Sequence, residues 1–170
     1  MESQQNTMTT ETPNKEEYNK LSDKWTIWAH LPHNTDWSIK SYIPITTFTT
    51  VEEKIAVTET LPPILVENCM LFMMREGIKP TWEDPKNRNG GCFSYKVSNK
   101  NVYKVWKDLT YVVVGNTISK QLSYVNCVNG ITISPKKNFC ILKVWTGNRK
   151  CVDPTKIKLL KSDGCIFKEN

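Results

Sequence analysis

The sequence predicts an α+β fold: a single domain on an antiparallel sheet, with helices on one face and the other face left open for a ligand. Two observations lead there. Segments of strand length recur along the chain, several with apolar residues at every second position, and helical signals fall singly between them. At 170 residues the chain is long enough for one domain with a substantial core.

Taken in order, residues 1–22 are polar, rich in Thr, Asn, Gln and Glu, and aperiodic. This predicts a disordered arm ahead of a domain over residues 23–170. The start of the chain has neither a basic segment nor an apolar run, and no stretch approaches the roughly 20 apolar residues that span a bilayer. A soluble, cytoplasmic protein is expected.

From Lys24 the pattern alternates, with Trp25, Ile27, Ala29 and Leu31 on one face of a strand. A loop rich in Pro, His, Asn and Asp leads to Trp37, and residues 38–46 read as a second strand. Thr50-Val51-Glu52-Glu53 has the form of a capping box, so a helix runs from Val51 to about Thr60, before Pro62-Pro63. Residues 68–74 form an apolar run of strand length, and residues 92–97 alternate again.

Val102, Val105, Trp106, Leu109, Val112 and Val113 recur at steps of three and four, which predicts an amphipathic helix ended by a left-handed Gly115. Two strands, residues 122–134 and 139–146, flank the turn Pro135-Lys136-Lys137-Asn138. Asp153-Pro154 predicts a last short helix to about Lys161.

The charge is uneven. The formal net charge is +6, yet residues 1–20 hold four Glu against two Lys, so the positive excess lies on the body. The C-terminal quarter would attract a polyanion, although the preference for Lys over Arg also fits compositional drift. Six cysteines form no C-x-x-C pair, and only His30 and His33 could join them as nitrogen ligands. Neither a zinc site nor a disulfide framework is favoured, and no cofactor is expected. There is no Walker-type loop, no G-x-S-x-G and no His-x-x-x-His, so the chain reads as a binder and not an enzyme.

What it binds is suggested by residues 77–91, a loop punctuated by Pro and Gly that joins the aromatic plane of Trp82 to the carboxylate of Glu83. A guanine edge offers two donors, N1–H and the exocyclic amine, and one carboxylate accepts both. If Trp37 faces Trp82, a base slides between them, gaining roughly 1–3 kcal/mol per stacked face. A cationic base gains more. Trp145 joins this group, and Lys136, Lys137 and Lys143 are the candidate phosphate cations. The plain alternative for Lys136-Lys137 is a solvated turn.

Glu76–Gly91, with Lys24–Trp28, Thr35–Trp37, Thr50–Glu53, Val105–Leu109 and Val144–Thr146, resembles the cap-binding translation initiation factor 4E family. The resemblance implies a curved antiparallel sheet with about three helices on the convex face and a cap pocket on the concave face. It also implies that Trp37 and Trp82 sandwich the 7-methylguanine of an mRNA cap, that Glu83 reads its edge, and that Trp145 contacts the methyl end. Lys136 falls at a phosphate-binding position, with Lys137 as a substitute where the family's next phosphate Lys aligns with Asn138. Cys92 stands where the family often has Arg. On the convex face, where the family binds a factor 4G-type scaffold, the relevant positions are Val51, Ile55, Trp106, Lys107 and Asp108. Ile55 and the Lys107-Asp108 pair depart from the usual Trp and Leu-Glu. Two alternatives follow: a cap-binding repressor or decoy that does not recruit factor 4G, or a general single-stranded RNA binder.

Overall fold

Alternation in the first strand sets the two faces of the sheet. In the computed structural model, which describes residues 17–170, strand β1 (Lys20–His30) turns Trp25, Ile27 and Ala29 into the main core and Trp28 to the opposite side. The chain continues through a 3-10 turn (Ile39–Ser41), β2 (Tyr42–Thr50), α1 (Val51–Thr60), α2 (Pro63–Asn68), β3 (Met70–Arg75) and α3 (Pro85–Arg88). It ends with β4 (Gly91–Ser98), α4 (Asn99–Val114), α5 (Leu122–Cys127), β5 (Val128–Pro135), β6 (Phe139–Thr146), a second 3-10 turn (Pro154–Lys156) and β7 (Ile166–Glu169). The seven strands form one curved sheet in the order β2-β1-β3-β5-β6-β4-β7, antiparallel at every pairing.

The expected architecture is present, with five α-helices among the described residues in place of about three. The capping box forms as read: Glu53 N–H donates to Thr50 Oγ1 at 3.2 Å, and Thr50 N–H donates to Glu53 Oε2 at 3.1 Å. Helix α4 ends at Gly115 as expected, but Gly115 has φ −78 and Asn116 takes the left-handed conformation at φ 56. Thr117 N–H then bonds to Val112 O and Asn116 N–H to Val113 O, a Schellman closure that Asn tolerates.

Several boundaries differ. Residues 20–22, expected in the arm, belong to β1, because the Asn19 amides bind the Glu52 carboxylate and Asn19 O accepts from Val51 N–H. Residues 1–16 of the expected arm lie outside the described residues, and residues 17–19 form no regular element. The second strand starts at Tyr42, and residues 39–41 form the 3-10 turn. Residues 122–127, expected as strand, are helix α5; the Arg75 guanidinium donates to the carbonyls of Val125 and Val128 at its C-terminal end. The helix expected over 153–161 is reduced to a 3-10 turn capped by Asp153. Strand β7 is too short to be seen as a pattern. It pairs with β4 and is pinned by the Phe167 ring on Phe93, with centroids 5.0 Å apart.

Helices α2 and α4 pack over the sheet on the Trp25 side, and Trp106, Leu109 and Val113 of α4 enter the main core. One buried side chain there carries a charge. Lys54, on α1, is 2% exposed; its ammonium bonds to the Thr58 and Thr110 hydroxyls and sits 4.0 Å from the Tyr111 ring centroid. Burial pushes its pKa down from 10.5 to about 8; Glu59 opposes that shift and Lys107 adds to it.

The β3–β4 connection is irregular but fixed. Asn87, fully buried, donates from Nδ2 to Lys79 O at 3.0 Å and to Thr81 O at 2.8 Å, and its Oδ1 accepts from Asn129 Nδ2 at 2.9 Å. Asp84 accepts from Lys79 N–H and Lys86 N–H, both at 2.9 Å, and Asn170 Nδ2 donates to Asn87 O at 2.8 Å. Gly77 sits at φ 74, and a Cβ on Gly90 would lie 1.7 Å from Thr146 O, so both ends of the loop require glycine.

Two predictions follow from this packing. Asn87→Ala removes three buried hydrogen bonds, with Thr81 O still accepting from Asp84 N–H and Asn129 Nδ2 still donating to Lys86 O, so it costs about 2–3 kcal/mol, read as a lower Tm by thermal unfolding. Lys54→Met, by contrast, leaves Thr58 and Thr110 still bonded to the carbonyls of Lys54 and Lys107 and removes a buried charge, so at pH 7 stability rises by about 1–3 kcal/mol. In the unfolded chain Lys54 keeps its proton to higher pH than in the fold. The parent therefore gains stability as pH rises from about 8 toward 10.5, a gain that is absent in the Met variant.

Candidate functional site

The loop from β1 to β2 presents Trp37 through a short polar scaffold. Asn34 Oδ1 accepts from Asp36 N–H at 2.9 Å, and Asp36 accepts from Ser38 N–H at 2.8 Å and from the Ser38 hydroxyl at 3.0 Å. The backbone bond from Ser38, then its hydroxyl, holds Asp36 below the usual carboxylate range.

Beneath the indole lies His30. It is 3% exposed, its Nε2–H donates to Asp36 O at 2.8 Å, and its ring stacks on Trp37 at 4.1 Å with only 4° between planes. The stack continues edge-on to Tyr42 and then to Phe72, each step 5.3 Å between centroids. One face of Trp37 is therefore backed by the core, and the indole as a whole is 58% exposed.

The opposing loop carries Trp82 and Glu83, both exposed, on the network of Asp84 and Asn87. A cavity of about 460 Å³ lies between the two loops, lined by Trp37, Ser38, Lys79, Thr81, Glu83 and Pro85 among others. Glu83 also reaches Tyr42 electrostatically: burial first, and then the Glu83 charge, raise the phenol above its ordinary pKa. Trp37 and Glu83 are thus brought together.

Trp82 lines an adjacent cavity of about 370 Å³ with Cys92, Ser94, Lys143 and Trp145. Trp145 forms part of its wall and does not stand free: it is 6% exposed, and its Nε1–H donates to Thr132 Oγ1 at 2.7 Å. Lys136 lines a third cavity, of about 270 Å³, with Trp37, His30 and Ser134; Lys137 lines none of the three. His30, Lys79 and Asn87 have positions here that the sequence did not signal, because loop closure and not spacing brings them in.

On the helical side, Val51 and Ile55 are exposed at 38% and 44%. Lys107 pairs with Glu59 at 2.6 Å, and Asp108 pairs with Lys104. Trp106, expected both on the apolar stripe of α4 and at the partner face, is 2% exposed and belongs to the core. Among the described residues no group of His, Cys, Asp or Glu could hold a metal, and no helix is long and apolar enough to cross a membrane.

Comparison with known proteins gives a consistent result. The family model for eukaryotic initiation factor 4E matches residues 20–163. An initiation factor 4E homolog of Acanthamoeba polyphaga mimivirus is 29% identical over 136 residues, covering 68% of this chain and 50% of that protein. Initiation factor 4E of Eremothecium gossypii is 32% identical over 133 residues, 74% of this chain and 61% of the relative. The Candida albicans factor is 30% identical over 157 residues, 85% and 72%. The match thus spans about half the length of the mimiviral protein.

Among solved structures, Schistosome eIF4E complexed with m7GpppG and 4E-BP aligns with a TM-score of 0.71 and 25% identity, over 80% of this chain and 76% of that one. C. elegans eIF4E-3 in complex with the 4E-binding protein Mextli shares the fold at a TM-score of 0.76 and 18% identity, over 89% and 93%. With a family model matched along most of its length and the same sheet-and-helix architecture, the chain belongs to the eukaryotic initiation factor 4E family.

Proposed function

We propose that this protein binds the 7-methylguanosine cap of mRNA and acts in translation initiation. The observation that carries the reading is the cavity between the two loops, with the open face of Trp37 on one side and the Glu83 carboxylate on the other. Relatives solved with m7GpppG, and others with m7G cap, support it.

In this reading the base stacks on Trp37, whose far face His30 already backs. Trp82, 59% exposed, turns its ring onto the other side of the base. Glu83 accepts from N1–H and the exocyclic amine, two charge-assisted bonds that fix the guanine edge. The positive charge of the methylated ring adds cation–π attraction to both stacks. Trp145 closes the methyl end from the sheet, and Lys136, Lys137 and Lys143 lie toward the phosphates. The cap-binding domain then runs from Lys20, slightly earlier than residue 23, to residue 170. Its work is recognition without catalysis, in the cytoplasm. The face carrying Val51, Ile55, Lys107 and Asp108 receives a scaffold of the factor 4G type.

The expected outcome is retention on a 7-methyl-GTP resin and quenching of Trp fluorescence on titration. Trp82→Ala loses one stacked face, about 2 kcal/mol or roughly 30-fold in Kd. Glu83→Ala weakens binding by a similar factor and narrows the preference for guanine over adenine. Unchanged binding in both variants would sink the assignment.

A further inference from the structure

The face of Trp37 turned away from the cavity rests on a side chain that can change its charge. His30 closes β1 on the Trp28 side of the sheet, its backbone fixed between Tyr42 on β2 and Met70 on β3. Its ring lies 4.1 Å below the indole with 4° between planes, and Nε2–H is spent on Asp36 O at 2.8 Å. That bond to a carbonyl assigns the tautomer: Nε2 carries the proton, and Nδ1 is the basic nitrogen. Nδ1 has no hydrogen-bond partner among the described residues, and His30 lines the cavity of about 270 Å³ that also reaches Ser134 and Lys136. A proton can therefore be added at Nδ1 without breaking the bond that holds the ring in place.

The charged and titratable groups around the ring come from each element packed on it. From the same loop comes Asp36, whose carboxyl is held low first by the Ser38 bonds and then also by the charges of His30 and of Lys40 on the 3-10 turn. Tyr42 on β2 meets the ring edge-on, and Glu83 stands within electrostatic reach of Tyr42 from the β3–β4 connection. His33, from the β1–β2 loop, and Lys136, from the turn before β6, line the same small cavity. None of these groups separates His30 from Trp37, because the two planes are in direct contact. A proton on His30 thus acts on the indole first. It places a cation against one face of the π system, and a second cation on the opposite face then meets both that charge and an indole already polarised toward the core.

We propose that His30 sets the methyl specificity of the pocket: neutral, it backs Trp37 for a cationic base, and protonated, it weakens binding of the 7-methylated base while leaving the uncharged, unmethylated guanine nearly unaffected. The inference rests on the cap-binding reading, in which the base stacks on the outer face of Trp37. His30 is a positioning residue in this scheme, acting through the indole and touching no ligand. Preference for the methylated cap then falls as the medium turns acidic, because that preference draws on the charge of the base.

The test measures Kd for m7GpppG and for unmethylated GpppG by titration calorimetry between about pH 7 and pH 5, with the parent, His30→Phe and His30→Gln. Both dinucleotides have their phosphates linked at each end, so no phosphate monoester titrates in this range. In the parent the preference, taken as the ratio of the two Kd values, should fall about three- to tenfold from pH 7 to pH 5. The Phe variant keeps an aromatic floor without a titratable nitrogen, and the Gln variant keeps a donor for Asp36 O without a ring, so in both the preference should stay flat with pH. A solely structural role for His30 predicts instead equal changes for the two dinucleotides. That result, a flat preference in the parent, or a pH-dependent preference that survives in both variants overturns the proposal while leaving the base pocket standing. A parent that binds neither dinucleotide at pH 7 brings down the cap-binding reading as well.

Discussion

Strand β3 is buried on both sides, and much of the molecule follows from that. Leu71 and Met73 enter the helix-covered core, while Phe72 and Met74 enter a second cluster with Ile78, Cys92 and Trp145. The centre of the sheet is therefore dry on both faces. A binding site cannot be cut into it without losing apolar contact, so the site forms at the rim, from loops. Trp37 and Trp82 stand exposed on those loops, and the second cluster supplies their floor.

Loops can serve as walls only if something replaces the regular hydrogen bonding of a strand. In the β3–β4 connection that replacement is Asn87, whose amide bridges two carbonyls and receives Asn129. In the β1–β2 connection it is His30, which bonds to the loop through Asp36 O and stacks on the Trp37 ring. Arg75 does comparable work at the end of α5, joining Asp23 to two carbonyls. Asn87 and His30 are buried and Arg75 is half-buried, and each is tied to loop or helix-end carbonyls by hydrogen bonds, the condition under which such groups order a structure instead of weakening it.

Charge is distributed with a similar economy of position. Lys54 is driven into the contact between α1 and α4, where two threonines and a tyrosine ring receive it. Cys92 is kept neutral by burial, and Lys168 stands opposite it on β7. On the helical face Lys107 and Asp108 are each engaged by a neighbour, leaving Val51 and Ile55 as the apolar surface there.

The elements legible in advance were those whose signal is local. Period-two alternation gave β1 and β4, the Thr50–Glu53 box gave α1, and the three-four spacing of Val102 to Val113 gave α4, since each pattern reflects burial of one face. The apolar run that became β3 was legible for a different reason, its strand length between helix and loop signals. The segment that became α5 misled because its apolar content suits strand and helix equally, and contacts made by distant Arg75 accompany the helical choice. Strand β7 and the 3-10 turns carry too few residues for any period.

The sequence by itself determined the family, the sheet with helices on one face, and the pairing of an aromatic with a carboxylate at Trp82-Glu83. Only the tertiary structure decided that Trp37 and Glu83 share a cavity, that Trp145 is wall, and that Lys168 stands opposite Cys92. The division has a physical cause: residue type and spacing act within a few residues, whereas a site is assembled by strand order and loop closure across the whole chain.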